Sequence, residues 1–410
     1  MKPKSNKLRI AVFLGVMFFC FSTTLEALEF TYKFKSGDKY RIVSTVNEDV
    51  FIDRRLTYYA EIINRIAIEV IDVNGDTAKL AAVFQSAENT VAVGNTRNYS
   101  EAYPFRWARD YHSEFTQNGL GYMNVPEQYY MPMVRDVPVF PNRNLEIGDS
   151  WTADGLEVHD FRDSFGIVKP YEIPFSASYT YLGERSWKDK QYPAFAVSYR
   201  IFLEPERVTG RVYPLRIHSA SDQIVFWDTE YGQAVAYEEE FRTILDLSDG
   251  QTYEYRGRAE AEVIEAPPMN KEEMILAIAE DVNDIQGASV RISDEGIVIS
   301  LENIQFAADS ALLLSSEYQK LDIIAEILLR YPERDILVNG HTALAGTAEG
   351  RLLLSQERAA AVADYLIKKN VRTHDRVLVR GHGGEQPIAD NRTPEGMAKN
   401  RRVEIVILEN

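Results

Sequence analysis

Apolar and polar positions alternate with a period of two through much of the chain before residue 264. In "FAVSYRIFL", Phe195, Val197, Tyr199 and Ile201 alternate with Ala196, Ser198 and Arg200, as a half-buried strand requires. "IAIEVIDVNGDTAKLAAVF" sets Asn74-Gly75 between two apolar runs, the signal of a tight hairpin. "QIVFWDTEYGQAVAY" turns between Asp228 and Gly232, and "TILDLSDGQTYEY" turns at Asp249-Gly250. Strand signals at this spacing predict a β-rich region over 28–264, built as a sandwich or open barrel. Two segments echo each other: "FKSGDKYRI" and "LEIGDSWTA" each place Gly-Asp two residues before an aromatic. Gly37 and Gly148 would make the turn, and Tyr40 and Trp151 would anchor the next strand. The echo suggests two β domains, 28–140 and 141–264, with the boundary in the proline-containing "VPVFPNRN". The aromatic-dense stretch around Tyr99 to Tyr130 reads as a long crossover packed onto the β core, with a partner surface as the alternative.

The period then changes. Pro267-Pro268 ends the strand pattern, and Met274, Ile275, Ile278 and Val282 recur at helical spacing behind an Asn270 cap. This predicts a helical linker over 265–286. From 287 onward strands and helices alternate: a hairpin in "ASVRISDEGIVISL", an amphipathic helix with Leu321, Ile324, Leu328 and Tyr331 on one face, the strand "DILVNGHT", and a second helix in "GRLLLSQERAAAVADYLIKKN". The strand "RVLVRGHG", a short helix capped by Thr393 with Pro394 at its first position, and a closing strand "RRVEIVIL" follow. The C-terminal domain, 287–410, is therefore a mixed sheet with helices on one face, and the whole chain is α+β.

The N-terminus changes the picture of where the protein works. Lys2, Lys4, Lys7 and Arg9 precede the short apolar run Ile10 to Phe21, and Ala27 offers a cleavage site, so residues 1–27 read as a secretory signal peptide. The run falls short of the roughly 20 residues a spanning helix needs. The one cysteine, Cys20, lies inside it, behind Phe18 and Phe19 rather than the small residues that lipid attachment needs. The exported chain would then hold no disulfide, thiol nucleophile or cysteine metal site. The full sequence's formal net charge of −17 argues against nucleic acid or anionic lipid as a partner through bulk electrostatics.

Five ordered segments, "NIQFAADSALLL", "VNGHT", "LSQERAAAVADYLI", "VRGHGGEQPIADN" and "TPEGMAKNRRVEIVI", resemble the OmpA-like C-terminal domain family over about 290–410. The resemblance implies an α/β sandwich that binds peptidoglycan non-covalently, in the periplasm and associated with the outer membrane. The β region carries no comparable motifs. The general organisation resembles multi-domain OmpA-like envelope proteins of spirochaetes. The family grips diaminopimelate, a zwitterion, with an acid for its ammonium and an arginine for its carboxylate. Carried over position by position, the arginine is Arg358, and the acid position, directly after Thr342, is Ala343. A family asparagine is replaced by Arg351. Asn400 and Arg401, in "NRR", complete the candidate set. The base is kept, the acid is lost and a second cation is added. A guanidinium–carboxylate pair remains available, but one charge-assisted bond is missing.

No enzyme chemistry is legible. His112, His159, His218, His341, His374 and His382 are scattered without zinc-helix spacing, and no nucleophile elbow, phosphate loop or dinucleotide fingerprint occurs. No cofactor or metal is expected. Three readings follow: an envelope protein that still associates with peptidoglycan through this atypical site; an OmpA-like module that has lost that binding and serves as a scaffold, docked to envelope proteins through the β region; and a carrier of lipid or another envelope ligand inside the β region. An acid such as Glu349 filling the gap left by Ala343 would favour the first, and a long apolar cavity among the strands would favour the third.

Overall fold

The computed structural model describes residues 27–94, 105–208, 211–264, 269–307 and 310–409, leaving aside the side chains of 108 and 109. The expected signal peptide, apart from Ala27, lies outside the described residues.

The β region consists of β1 (Lys39–Ile52), β2 (Arg55–Asn74), β3 (Thr77–Ala92), β4 (Phe105–Asn118), the two-residue strands β5 (Met123–Asn124) and β6 (Val134–Arg135), β7 (Ser150–His159), the single turn α1 (Arg162–Phe165), β8 (Tyr171–Trp187), β9 (Lys190–Leu203), β10 (Pro214–Asp228), β11 (Gln233–Leu247) and β12 (Thr252–Ile264). The hairpin turns fall where Asn74-Gly75, Asp228 to Gly232 and Asp249-Gly250 predict them. The stretch read as a crossover holds a full strand, β4, paired with β3 from Thr77↔Asn118 to Glu88↔Arg106. Its aromatic density masked the alternation.

The Gly-Asp echo is a structural repeat. Gly37 donates to the Val70 carbonyl at 2.8 Å, and Val70 donates back to Asp38 at 2.9 Å. Gly148 and Asp149 make the same two bonds with Tyr181, at 2.8 and 2.9 Å. Gly37 and Gly148 have φ of 88° and 92°, a region glycine enters without steric cost. In each unit the partner strand skips one residue after that contact, between Val70 and Asp72 and between Tyr181 and Gly183. The boundary expected near 140 nevertheless does not separate two sheets. β12 pairs antiparallel with β1 from Arg41↔Ile264 to Ile52↔Tyr253, so the order β7-β8-β9-β10-β11-β12-β1-β2-β3-β4 is one continuous ladder. Leu28 also bridges Leu145, and Phe30 packs on Phe140 at 5.4 Å within a buried aromatic core that includes Tyr179, Phe195 and Trp227. Periodicity reports which face a residue takes, not which distant strand it meets.

The C-terminal domain holds α2 (Lys271–Val282), β13 (Ala288–Ile292), β14 (Gly296–Glu302), α3 (Tyr318–Leu329), β15 (Ile336–Gly340), α4 (Ala348–Lys368), β16 (Val377–Gly381), α5 (Pro394–Asn400) and β17 (Arg402–Leu408). The sheet order is β13-β14-β17-β15-β16, with β15 and β16 parallel and the other pairs antiparallel. Asn270 caps α2 as expected, accepting from the Glu273 amide at 3.3 Å. α2 is more than a linker: Ile278 and Val282 are buried in the same core as Leu321, Ile324 and Leu328 of α3 and Val362 of α4.

The opposite face of this sheet is also covered. Val298, Leu337, Leu378, Val406 and Leu408 form a second buried cluster with Ile63, Ala87 and Phe105 of the β region. β16 continues into β4 through parallel pairing at Leu378↔Phe105 and Val379↔Arg106. Ion pairs rim the contact. Asp335 accepts from buried Arg65 and from Arg376, and Arg380 lies 4.1 Å from the Trp107 ring centre while pairing with Glu295 at 3.0 Å.

Candidate functional site

Thr342, Ala343 and Arg351 lie where β15 gives way to α4, Arg358 lies farther along that helix, and Asn400 and Arg401 lie at the end of α5. The side chain of Thr347 caps α4 by accepting from the Gly350 amide at 3.1 Å. The loop before it is tied to the loop after β16: Thr342 donates its amide to the Gly383 carbonyl at 2.7 Å, and His382 donates to Gly340 at 2.9 Å. Ser355, fully buried on α4, accepts from the Gly383 amide at 2.9 Å and donates to the Leu352 carbonyl at 2.8 Å. This approach depends on bare backbone. A Cβ on Gly340 would stand 1.9 Å from the Ser355 carbonyl oxygen, and one on Gly381 would stand 2.8 Å from Ser355 Oγ.

Thr342 and Ala343 are buried, Ala343 being 5% exposed, and Thr342 Oγ1 has no hydrogen-bond partner among the described residues. The methyl group thus occupies the acid position inside the loop rather than at its rim. Leu344 donates to Asn391 Oδ1 at 3.2 Å. Arg351 folds back over the loop: Nη1 donates to the Gly346 carbonyl at 2.7 Å, and Nε is buried without a hydrogen-bond partner among the described residues. A Cβ on Gly384 would stand 3.3 Å from Arg351 Nε and 3.4 Å from the Ala343 carbonyl oxygen, so the added cation lies beside the missing acid's position. Glu349 is exposed in the first turn of α4, and no ion pair to it is present among the described residues.

Arg358 lies two turns farther along α4, about 10 Å along the axis. It is half-buried, its Nε donates to the Ser310 carbonyl at 3.3 Å, and its guanidinium carbon is 4.9 Å from the Phe306 ring centre. Phe306 and Ser310 were not singled out from the sequence, although they belong to the segment "NIQFAADSALLL". Asn391, Gly383 and Ser355 were likewise missed. Their roles are backbone contacts between segments far apart in the chain, which no local pattern announces.

Asn400 is turned inward. It is fully buried, its Oδ1 accepts from Ile388 and Ala389 at 2.8 and 3.0 Å, and its Nδ2 donates to the Ala389 carbonyl at 2.8 Å. It clamps the loop before α5 and leaves no amide group facing a ligand. Arg401 is half-buried; its backbone accepts from Asn303 at 2.9 Å.

The site's histidines add no charge. His341 and His382 stack at 4.7 Å, 7° from parallel. Burial, then the Arg402 guanidinium, pushes His341 down to about 2, and burial, then Arg380, pushes His382 down to about 4. Both are neutral near pH 7, so the local positive charge comes from arginine. Among the described residues no group of three or more His, Cys, Asp or Glu side chains is placed to hold a metal, and no helix is long and apolar enough to cross a membrane.

The family model described as the OmpA family matches residues 305–401, the span that holds this loop, α4 and α5. The peptidoglycan-binding protein ArfA of Mycobacterium tuberculosis is 42% identical over 104 residues, 25% of this chain and 32% of that protein. This chain thus spans about a third of the length of the first curated relatives it matches. The peptidoglycan-associated lipoprotein of Brucella melitensis is 34% identical over 122 residues, 30% of this chain and 72% of that protein. A solved outer membrane protein of Borrelia burgdorferi is 38% identical, covering 30% of this chain and 96% of that one, at a TM-score of 0.26. With the five motifs, the mixed sheet and the matched span in agreement, this chain belongs to the OmpA family through its C-terminal domain.

Proposed function

We propose that this is a non-enzymatic cell-envelope protein of the periplasm, associated with the outer membrane, whose OmpA domain associates with peptidoglycan through Arg358 at an atypical site. The observation that carries this reading is the mounting of Arg358. The Ser310 carbonyl and the Phe306 ring hold its guanidinium at a half-buried position on α4, the helix that the glycine-tied loops abut. Preorganised guanidinium suits a planar carboxylate, and holding it in place beforehand lowers the entropy cost of binding. The relatives named as peptidoglycan-binding or peptidoglycan-associated support the ligand class.

The test is co-sedimentation of the chain from residue 28 onward with isolated peptidoglycan sacculi. Arg358→Ala is expected to weaken pelleting by about tenfold to a hundredfold, since a hydrogen bond to a charged group contributes about 1.5–3 kcal/mol. Ala343→Asp is expected to strengthen it by supplying the acid for an ammonium. Unchanged pelleting in Arg358→Ala would sink the assignment.

A second reading is favoured by one observation: Ala343 is buried and Arg351 closes over the loop beside it. On that reading the module has lost peptidoglycan and serves as a scaffold for envelope proteins that dock on the β region. Wild-type protein that does not pellet, beside an Ala343→Asp variant that does, would select it.

A further inference from the structure

The β region contains a cavity that the OmpA reading leaves unused. It measures about 420 Å³, within the usual range for small-molecule sites, and lies on the inward face of the sheet. Glu48 of β1, Phe241 of β11, and Tyr253 and Tyr255 of β12 line one side. Phe161, which precedes α1, and Phe165, its last residue, line the other, edge to face at 5.4 Å. No lysine or arginine is among the lining residues.

The strand register explains why Glu48 stands open to this space. Phe241, Gly257, Glu48 and Ala60 lie in one row across β11, β12, β1 and β2. Gly257 has no side chain, and the Phe241 ring fills the space above it: a Cβ there would come within 2.3 Å of the ring. Ala60, on the other side, is too short to reach the carboxylate. Among the described residues Glu48 therefore has no hydrogen bond and no ion pair, although it is only half-exposed. Its surroundings add negative charge: burial first, then the Glu88 carboxylate of β3, pushes Glu48 up to about 7. The far wall is held in advance. Asp160 pairs with Arg162 and accepts from Tyr111 at 3.1 Å, the Arg162 guanidinium lies 3.7 Å from the Tyr130 ring centre, and Tyr130 donates to the Val168 carbonyl at 3.2 Å.

A half-buried carboxylate without a cation is costly to keep ionised, and a ligand cation would supply what the fold omits. Aromatic faces around the same space attract cations through their ring quadrupoles and cover apolar groups at the same time. We infer that this cavity is a binding site for an organic ammonium group carried on an apolar body, with Glu48 as its counter-ion and the ring cluster as its cage. A metal ion fits poorly, since the lining offers one carboxylate among rings. A neutral apolar ligand leaves Glu48 unexplained.

The test uses the chain from residue 28 onward and three probes of one shape: benzyltrimethylammonium, its neutral isostere neopentylbenzene, and benzenesulfonate. Calorimetry is expected to find saturable binding of the ammonium, at least tenfold weaker binding of the neutral probe, and none of the sulfonate. Glu48→Gln, close in shape to the native residue, is expected to weaken ammonium binding at least tenfold. The unmodified protein offers the same test through pH. Ammonium binding should strengthen between about pH 6 and pH 8 as Glu48 loses its proton. The groups that share this face include Tyr58 of β2, Glu88 of β3, Glu157 and His159 of β7, Tyr237 and Glu239 of β11, and Tyr253 and Tyr255 of β12. His159 lines the same cavity and pairs with Glu157 at 2.8 Å, so His159→Gln must keep the dependence. The inference is overturned if the ammonium does not bind, if the neutral probe binds as tightly, if Glu48→Gln is silent, or if His159→Gln abolishes the pH dependence. None of these results depends on peptidoglycan.

Discussion

Replacing Asp335 by alanine is expected to lower stability by about 3–5 kcal/mol, the usual consequence of removing one member of a buried ion pair. Asp335 sits at the seam between the β region and the OmpA domain. Its carboxylate accepts from Arg65, whose side chain is 4% exposed, and from Arg376 at 2.6 Å. Arg65 Nε already lacks a hydrogen-bond partner among the described residues, so Asp335 carries most of its compensation. Arg41 lies in the same field; burial first, then Arg65, pulls it down to about 10, and the Asp335 charge opposes that shift. Without the carboxylate, like charges would face one another in a contact otherwise built from Val298, Leu337, Leu378, Ile63 and Phe105. A urea unfolding series would measure the loss, and limited proteolysis would report whether the two halves separate. The apolar double variant Arg65→Met/Asp335→Leu should recover part of it, because the cost lies in the unpaired charge rather than in the lost pair. A single variant within about 1 kcal/mol of wild type would mean that water already solvates Arg65.

Gly340→Ala is the second change with a large expected effect, about 3 kcal/mol through overpacking. The added methyl group would stand 1.9 Å from the Ser355 carbonyl oxygen and 3.3 Å from Ala359 Cβ, and both belong to α4, which cannot yield as a side-chain tip can. The helix would have to lift off the ends of β15 and β16. That motion would break the Ser355–Gly383 bond and carry Arg358 away from Ser310 and Phe306. Sacculus pelleting is therefore expected to fall together with stability. Gly346→Ala offers the contrast: nothing lies within 4 Å of a Cβ there, but φ is 78°, so its cost of about 1–2 kcal/mol comes from the backbone alone. If Gly340→Ala unfolds no earlier than Gly346→Ala, the close approach of helix to strand is not what positions the site.

Much of the candidate site was readable because its chemistry is carried by spacing. "GHT", "LSQER" and the arginine fifteen residues past Ala343 are fixed along the chain, and Arg358 does lie on the helix that the pattern predicts. What Arg358 rests on was not readable, since Phe306 and Ser310 reach it from another segment. Asn400 illustrates what spacing does not convey. It belongs to a motif, yet burial turns its amide into a clamp on Ile388 and Ala389. Ala343 was legible as a missing acid, but not as a buried methyl group with Arg351 closed beside it.

The same division holds for the fold. Period-two alternation, the turn pairs and the caps at Asn270 and Thr393 placed the local elements, because each depends on residues within a few positions of one another. The Gly-Asp echo identified two equivalent turns for the same reason. One further signal lay in the sequence: "IVISL", "ILV", "VLV" and "EIVIL" are nearly continuous apolar runs, as strands buried on both faces must be. They announced that the second face of the OmpA sheet is covered, but not by what. Only the tertiary structure decided that β12 pairs with β1, that β2, β3 and β4 close that second face, and that Gly257 offers the Glu48 carboxylate no side chain across the strand. Those outcomes depend on contacts between residues tens to hundreds of positions apart. Their free energy comes from shape and charge matching in space, which a one-dimensional pattern does not encode.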